Sequence, residues 1–142
     1  MTAKEFLEKV REQKKTESRI KMQLKEEWAR AVSLASPALG DKVQSNQQKD
    51  ISDLLVRIEE REVKLAEELG KLFDMEKVAE ELIAIEEDET ARNVLTYRYI
   101  EGKKWEWIAC QMKYMDTRWI QRKANIAIEH IERSPLKKKL VP

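Results

Sequence analysis

The sequence predicts an all-α protein, in which a long N-terminal helical hairpin with coiled-coil-like spacing precedes a C-terminal module of three short helices. Residues that form turns are scarce, since the 142 residues include only 3 Gly and 3 Pro, too few for an all-β fold. Apolar residues recur at helical spacing through most of the chain, although 39% of the residues are charged. An apolar repeat of seven residues in the middle of the chain is typical of a long, packed helix.

The first predicted helix covers residues 2–33. Its middle, around residues 13–17, is only weakly apolar. Its apolar face consists of residues at helical spacing, namely Phe6, Val10, Ile20, Leu24, Trp28 and Ala31. Pro37 and Gly40 then occur in a polar stretch, which predicts a loop over residues 34–47.

The second predicted helix covers residues 48–86 and carries the seven-residue repeat. The repeat positions are Ile51, Ile58, Leu65 and Leu72, and we predict that they form a partner interface, which packs on the first helix or on another subunit. Arg61 and Glu68 occupy positions where a second apolar row would lie. This favours a second helix that packs on the first helix of the same chain over a long two-stranded coiled coil. Residues 1–86 are therefore predicted to form a hairpin for self-association or partner binding, with a homodimer favoured.

Residues 87–134 are predicted to form the C-terminal module. Asp88 can cap its first helix, which Gly102 ends, and Asp116 can cap its third helix. The apolar face of the third helix consists of Ile120, Ala124, Ala127, Ile128 and Ile131. Two helices joined by a short turn are the arrangement of a helix-turn-helix. Residues 135–142 are predicted to be a basic tail.

The polar face of the third helix is the candidate functional site. Arg118, Gln121, Arg122 and Asn125 recur at steps of three and four residues, so they share a face. Arginine can pair with guanine, and Gln or Asn with adenine, in the major groove of double-stranded DNA. We predict that Thr117, Lys113 and Lys123 contact phosphates. The alternative interpretation is an ordinary solvated helix face.

Three of the four tryptophans lie in the module. Trp105 shares a face with Ile108 and Met112, which predicts a core position, whereas Trp107 faces away from them and is predicted to contact a partner. The net charge is −7 over residues 51–100 and +5 over residues 101–142. A basic C-terminal third is suited to a polyanionic partner.

Several classes of function are disfavoured by composition. A single cysteine, Cys110, excludes an internal disulfide and a cysteine-rich zinc site. No apolar run is long enough to span a membrane, and the charged N-terminus does not resemble a signal peptide, which predicts a cytoplasmic location. No phosphate loop, nucleophile with its base, or set of metal ligands occurs. We therefore expect no enzymatic activity, no cofactor and no bound metal.

The motif "RYIEGKKWEWIACQM" followed by "RWIQRK" resembles the C-terminal helix-turn-helix of sigma factor region 4. The whole chain resembles a family of short phage and prophage proteins of Gram-positive hosts. Members open with a helix similar to "TAKEFL", have a loop ending near "DKVQS", continue in a long heptad helix and finish in the sigma-like module. Two differences lie in the turn: Lys113 stands where the family has Gly, and Met115 is an additional residue before Asp116.

The resemblance implies a DNA-binding transcription regulator, similar in outline to the ArpU and RinA late-gene regulators of phages. Two other functions are compatible with the sequence. One is a DNA-packaging recognition subunit, similar to a small terminase, and the other is an interaction module that binds host RNA polymerase without binding specific DNA.

Overall fold

The computed structural model describes residues 1–35, 45–113 and 116–142, and only the backbone of residues 45–47. It is 86% helical and the described residues contain no strand, which confirms the predicted all-α class. The helices are α1 (Ala3–Leu34), α2 (Ser45–Ile83), α3 (Glu89–Leu95), α4 (Trp105–Gln111), α5 (Thr117–Arg133) and α6 (Pro135–Leu140). Most of the predicted loop, residues 36–44, and the connection at residues 114–115 lie outside the described residues. None of the described helices has the length and apolar character required to cross a bilayer.

The chain divides into two compact units. The first unit contains residues 1–15 and 71–142, and the second contains residues 16–70. This division differs from the predicted boundary at residue 86, because residues 1–15 and 71–86 of the predicted hairpin belong with the C-terminal helices. Three short helices bury too little apolar surface to form a stable core alone.

The core of the first unit contains residues from α1, α2, α3, α4 and α5. Leu7 and Val10 of α1 and Leu82 of α2 are fully buried in the same cluster as Ile108 of α4 and Ile120 of α5. The five apolar residues predicted for α5 are all buried. Trp105 is only partly buried where it packs against this cluster, and the largest fully buried apolar side chains of the cluster are aliphatic.

Capping side chains fix where the short helices begin. The Asp88 carboxylate accepts a hydrogen bond from the backbone N–H of Thr90 at 3.1 Å, and Asp116 accepts one from Arg118 at 3.3 Å. Both predicted caps are confirmed. The helix after Asp88 ends differently from the prediction, because α3 continues as a π-helical turn over Thr96–Ile100. Gly102 follows at φ +73°, a conformation that favours glycine.

The predicted basic tail is largely helical, which corrects that prediction. Ser134 caps α6 by accepting from the N–H of Leu136, with Pro135 in the first turn. Lys137 is buried, and its ammonium donates to the Met1 carbonyl at 2.7 Å and lies 3.4 Å from Glu132. Only part of the basic charge of this segment is therefore available to a polyanion.

A buried carboxylate joins the end of α2 to α5. Glu86 is buried, and its Oε2 lies 3.0 Å from Nδ1 of the exposed His130, while Oε1 accepts from the N–H of Asp88 at 3.2 Å. Buried carboxylates require such partners. These contacts hold the start of α3 beside the C-terminal half of α5.

In the second unit, segments of α1 and α2 pack in opposite directions. Ala31 packs with Leu54 and Ile58, whereas Arg61 forms an ion pair with Glu27 and donates to Gln23 at 2.9 Å. Arg61 interrupts the predicted apolar row because it has these polar partners. Trp28, predicted on the apolar face of α1, is instead exposed, and its indole N–H donates to Glu62 at 3.3 Å.

Candidate nucleic-acid interface

The open face of α5 begins directly after the Asp116 cap. Arg118, Arg122 and Asn125 are exposed, and Thr117 and Gln121 are half-buried. The opposite face is buried against α3 and α4. The predicted site residues therefore share the side of α5 that the core leaves uncovered, although they are not equally accessible.

Gln121 and Asn125 lie on the flank of this face that is next to α1. Both line a groove of about 710 Å³ whose other lining residues include Glu5 and Glu8 of α1. The start of α1 is attached to the same flank, since the N–H of Ala3 donates to Glu132 at 2.7 Å. The structure thus separates the predicted four-residue face into an open pair of arginines and a pair of amides that share a groove with charged side chains of α1.

Lys123 lies on the other flank and has partners within the protein. Its ammonium is 2.6 Å from Oδ2 of Asp88 and 4.8 Å from the centre of the Trp119 ring. Trp119 is itself only partly covered, at 39% exposure. The predicted phosphate contact of Lys123 would have to compete with this ion pair, so Lys123 is a weaker candidate than the exposed Lys113.

The ion pair lowers the pKa of Asp88. The hydrogen bond from Lys123 is the largest cause, and burial opposes it as the second largest. The positive charge of Lys123 and the N–H donors of the α3 cap lower the pKa further. A depressed carboxylate pKa stabilises the fold above the ordinary value of 3.8, and this stabilisation is lost as the pH falls through the depressed value.

Replacing Lys123 with Gln is expected to raise the pKa of Asp88 toward its ordinary value, because the principal cause of the depression is removed. A carboxyl-detected NMR titration between about pH 2 and 6 would measure this shift. Lys113→Gln is the matched control, since Lys113 is not among the causes. An unchanged Asp88 pKa in Lys123→Gln would contradict the ion pair.

Lys113 has a left-handed backbone, with φ at +50°. It follows α4, and its N–H donates to the Cys110 carbonyl at 3.4 Å. A side chain in this conformation costs about 1–2 kcal/mol, which glycine avoids. Glycine is therefore the residue most often found in the conformation that Lys113 adopts.

Lys113→Gly is expected to stabilise the first unit by about 0.5–1 kcal/mol, after allowing for the greater freedom of glycine in the unfolded chain. Urea unfolding measures the change in the free energy of unfolding. Lys113→Ala is the control, because alanine keeps the Cβ atom and hence the strain. Equal stabilisation by Ala and Gly would show that the lysine side chain, and not the backbone, is unfavourable.

The predicted partner interface is only partly accessible. Ile58 and Leu72 are 2% and 4% exposed, so the prediction that a partner contacts them is wrong: each packs inside its own unit. Ile51 and Leu65 are half-buried, and their contact with a partner stays a prediction. The heptad spacing indicated the buried face of α2 correctly but not what covers it.

Trp107 is 37% exposed, consistent with its predicted outward position. Its ring meets the edge of Tyr97 at 5.3 Å, and the ammonium of Lys103 lies 4.8 Å from its centre. These contacts hold the indole in place on the surface. Its contact with a partner stays a prediction.

Sequence reasoning missed the residues that surround Gln121 and Asn125. Arg11 of α1, and Arg98 and Tyr99 of the π-helical turn, line the same groove. Arg98 and Tyr99 are the first two residues of the motif "RYIEGKKWEWIACQM" noted in the sequence, so one signal was present. Arg11 lies in a highly charged helix in which nothing distinguishes it from its neighbours.

The described residues contain no group of three or more His, Cys, Asp or Glu side chains arranged to hold a metal ion. No protein-family model matches the chain, and no curated protein or solved structure matches it either.

Proposed function

We propose that this protein is a sequence-specific DNA-binding transcription regulator of phage or prophage genes. In this proposal α4 and α5 form the helix-turn-helix, and α5 enters the major groove of the target. The resemblance to sigma factor region 4 supports it, as does the left-handed backbone at Lys113, where the resembling family has glycine.

The exposure of Arg118 and Arg122 is the observation that carries the proposal. They lie one helical turn apart in the first half of α5, the part of a recognition helix that reaches base edges. Within the described part of the chain neither arginine forms an ion pair. Their guanidinium groups are therefore available to guanine or to phosphates.

In the same proposal, residues 16–70 mediate self-association or contact host RNA polymerase. Leu55, Val56 and Val63 of α2 are large apolar side chains that remain exposed in this unit. Exposed apolar side chains on one helix suit a protein partner. For a dimer, the two half-sites in the DNA would lie about one helical turn, or a multiple of it, apart.

Selection of random duplex DNA on the purified protein, at two salt concentrations, tests the proposal. The mass in solution is measured on the same sample. Enrichment of one motif is the expected result, and a two-fold symmetric motif together with a dimeric mass would give the half-site spacing. Salt-sensitive binding without enrichment, or no binding, would contradict sequence-specific recognition.

A second candidate function is supported by an apolar patch on α5. Trp119 and Ile126 are exposed and, with Arg122 and Lys123, line a shallow pocket of about 280 Å³. Such a patch suits a protein partner such as polymerase. Failure to bind any duplex at low salt, together with loss of polymerase binding in Ile126→Ser, would favour this interaction module.

A further inference from the structure

The groove beside Gln121 and Asn125 has the size and lining of a ligand site. Its volume of about 710 Å³ lies within the range of about 300–1,000 Å³ that is typical of small-molecule sites. Its walls come from α1, the π-helical turn, α4 and α5, all within the first unit. Trp105 and Tyr99 give it aromatic surface, and Arg11 and Arg98 give it charge.

Arg98 is held in place by its neighbours, and neither Arg98 nor Arg11 uses all its hydrogen-bond donors. The guanidinium of Arg98 lies over the Trp105 ring at 4.4 Å, and its Nη1 donates to the Lys103 carbonyl at 3.2 Å. Within the described residues, the Nε atoms of Arg98 and Arg11 are both buried and have no hydrogen-bond partner. Buried polar groups are nearly always paired, so two such donors in one groove require an explanation.

The positive charges of Arg11 and Arg98 also act on each other. Burial lowers the pKa of Arg98, and repulsion by Arg11 lowers it further. Glu8 and Glu106 attract Arg98, but no described carboxylate forms an ion pair with either guanidinium. Two like charges with unused donors favour an anion that contacts both.

We propose that this groove binds a phosphoryl group between Arg11 and Arg98. The fork of a guanidinium matches two phosphate oxygens, and a phosphate offers enough oxygens for two arginines. Four basic and three acidic side chains line the groove, so it is positive overall. Gln121 and Asn125 have both donors and acceptors for the rest of a phosphorylated molecule. Such a site does not require the protein to bind specific DNA.

The test follows the side-chain N–H signals of arginine by ¹⁵N NMR while inorganic pyrophosphate is added to the full chain at constant ionic strength. Arg11→Lys and Arg98→Lys assign the two Nε–H signals, because each removes one of them. We expect both signals to shift and saturate together. Signals of exposed arginines should move only slightly.

Variants separate this site from general attraction of anions. Arg11→Gln and Arg98→Lys are expected to weaken pyrophosphate binding roughly tenfold or more. Arg133→Gln is the matched control, because Arg133 is exposed on α5 and does not line the groove. The affinity of this variant for pyrophosphate should be unchanged. Backbone amide spectra confirm that each variant is folded, and at least one groove variant must pass this check to be compared.

A parallel titration with a short duplex of arbitrary sequence distinguishes two sources of the phosphoryl group. If the two arginine signals shift with pyrophosphate but not with the duplex, the ligand is a free phosphorylated molecule. If they shift with pyrophosphate and with the duplex, the DNA backbone is the source of the phosphoryl group. Absence of shifts with pyrophosphate would overturn the proposal. Equal affinity in Arg11→Gln, Arg98→Lys and the wild type would overturn it as well, since the anion would then bind elsewhere.

Discussion

Leu7→Ala is expected to destabilise the first unit by about 3 kcal/mol, although Leu7 lies 80 residues or more from the short helices α3–α5 of that unit in sequence. Leu7 is fully buried in the cluster that includes Ile108 and Ile120. Truncation of a buried leucine removes its transfer free energy and leaves a cavity, which together cost about 2–5 kcal/mol. The expected loss of stability therefore affects the first unit, which contains α5.

Urea unfolding followed by tryptophan fluorescence measures this loss. Trp105, Trp107 and Trp119 lie in the first unit and Trp28 in the second, so a Trp28→Phe background makes the signal specific. Leu136→Ala is the control, because Leu136 belongs to the same unit but is 52% exposed, and surface truncations change stability by no more than about 0.5 kcal/mol. A similarly small effect of Leu7→Ala would mean that α1 does not complete this core.

Periodicity predicted which face of each helix is buried, but not what covers that face. The α5 stripe and the caps at Asp88 and Asp116 follow from local rules, and all are confirmed. The packing of Leu7 and Val10 with α4 and α5 depends on contacts between residues distant in sequence, which spacing cannot reveal. The π-helical turn at Thr96–Ile100 has no distinct residue pattern either.

The candidate site could be predicted to the level of a helix face. Spacing alone placed Arg118, Gln121, Arg122 and Asn125 together, since residues three and four apart are neighbours on a helix. Spacing could not show that α1 borders Gln121 and Asn125, or that Asp88 engages Lys123. These differences come from tertiary contacts, and they make the two open arginines the strongest candidates for base recognition.

Arg118→Ala is expected to weaken specific DNA binding by about 1–3 kcal/mol and to relax the base preference at one position of the selected site. The side chain is exposed in the first turn of α5, where it can reach a guanine. The Asp116 cap uses the backbone N–H of Arg118, so the substitution leaves the start of α5 intact. Gln121→Ala should have a smaller effect, near 1 kcal/mol, because Gln121 is half-buried beside α1.

Binding profiles from selected DNA, compared between wild type and variants, separate base recognition from simple charge. Arg133→Ala removes the same charge from the last turn of α5, about 22 Å along the helix from Arg118 at 1.5 Å per residue. If Arg118 reads a base, only Arg118→Ala changes the preferred sequence, whereas both variants lose a similar amount of affinity for random DNA. If Arg118→Ala selects the same DNA sequences as the wild type, α5 is not the recognition helix. The exposed arginines would then be explained by protein contacts, next to the apolar patch of Trp119 and Ile126.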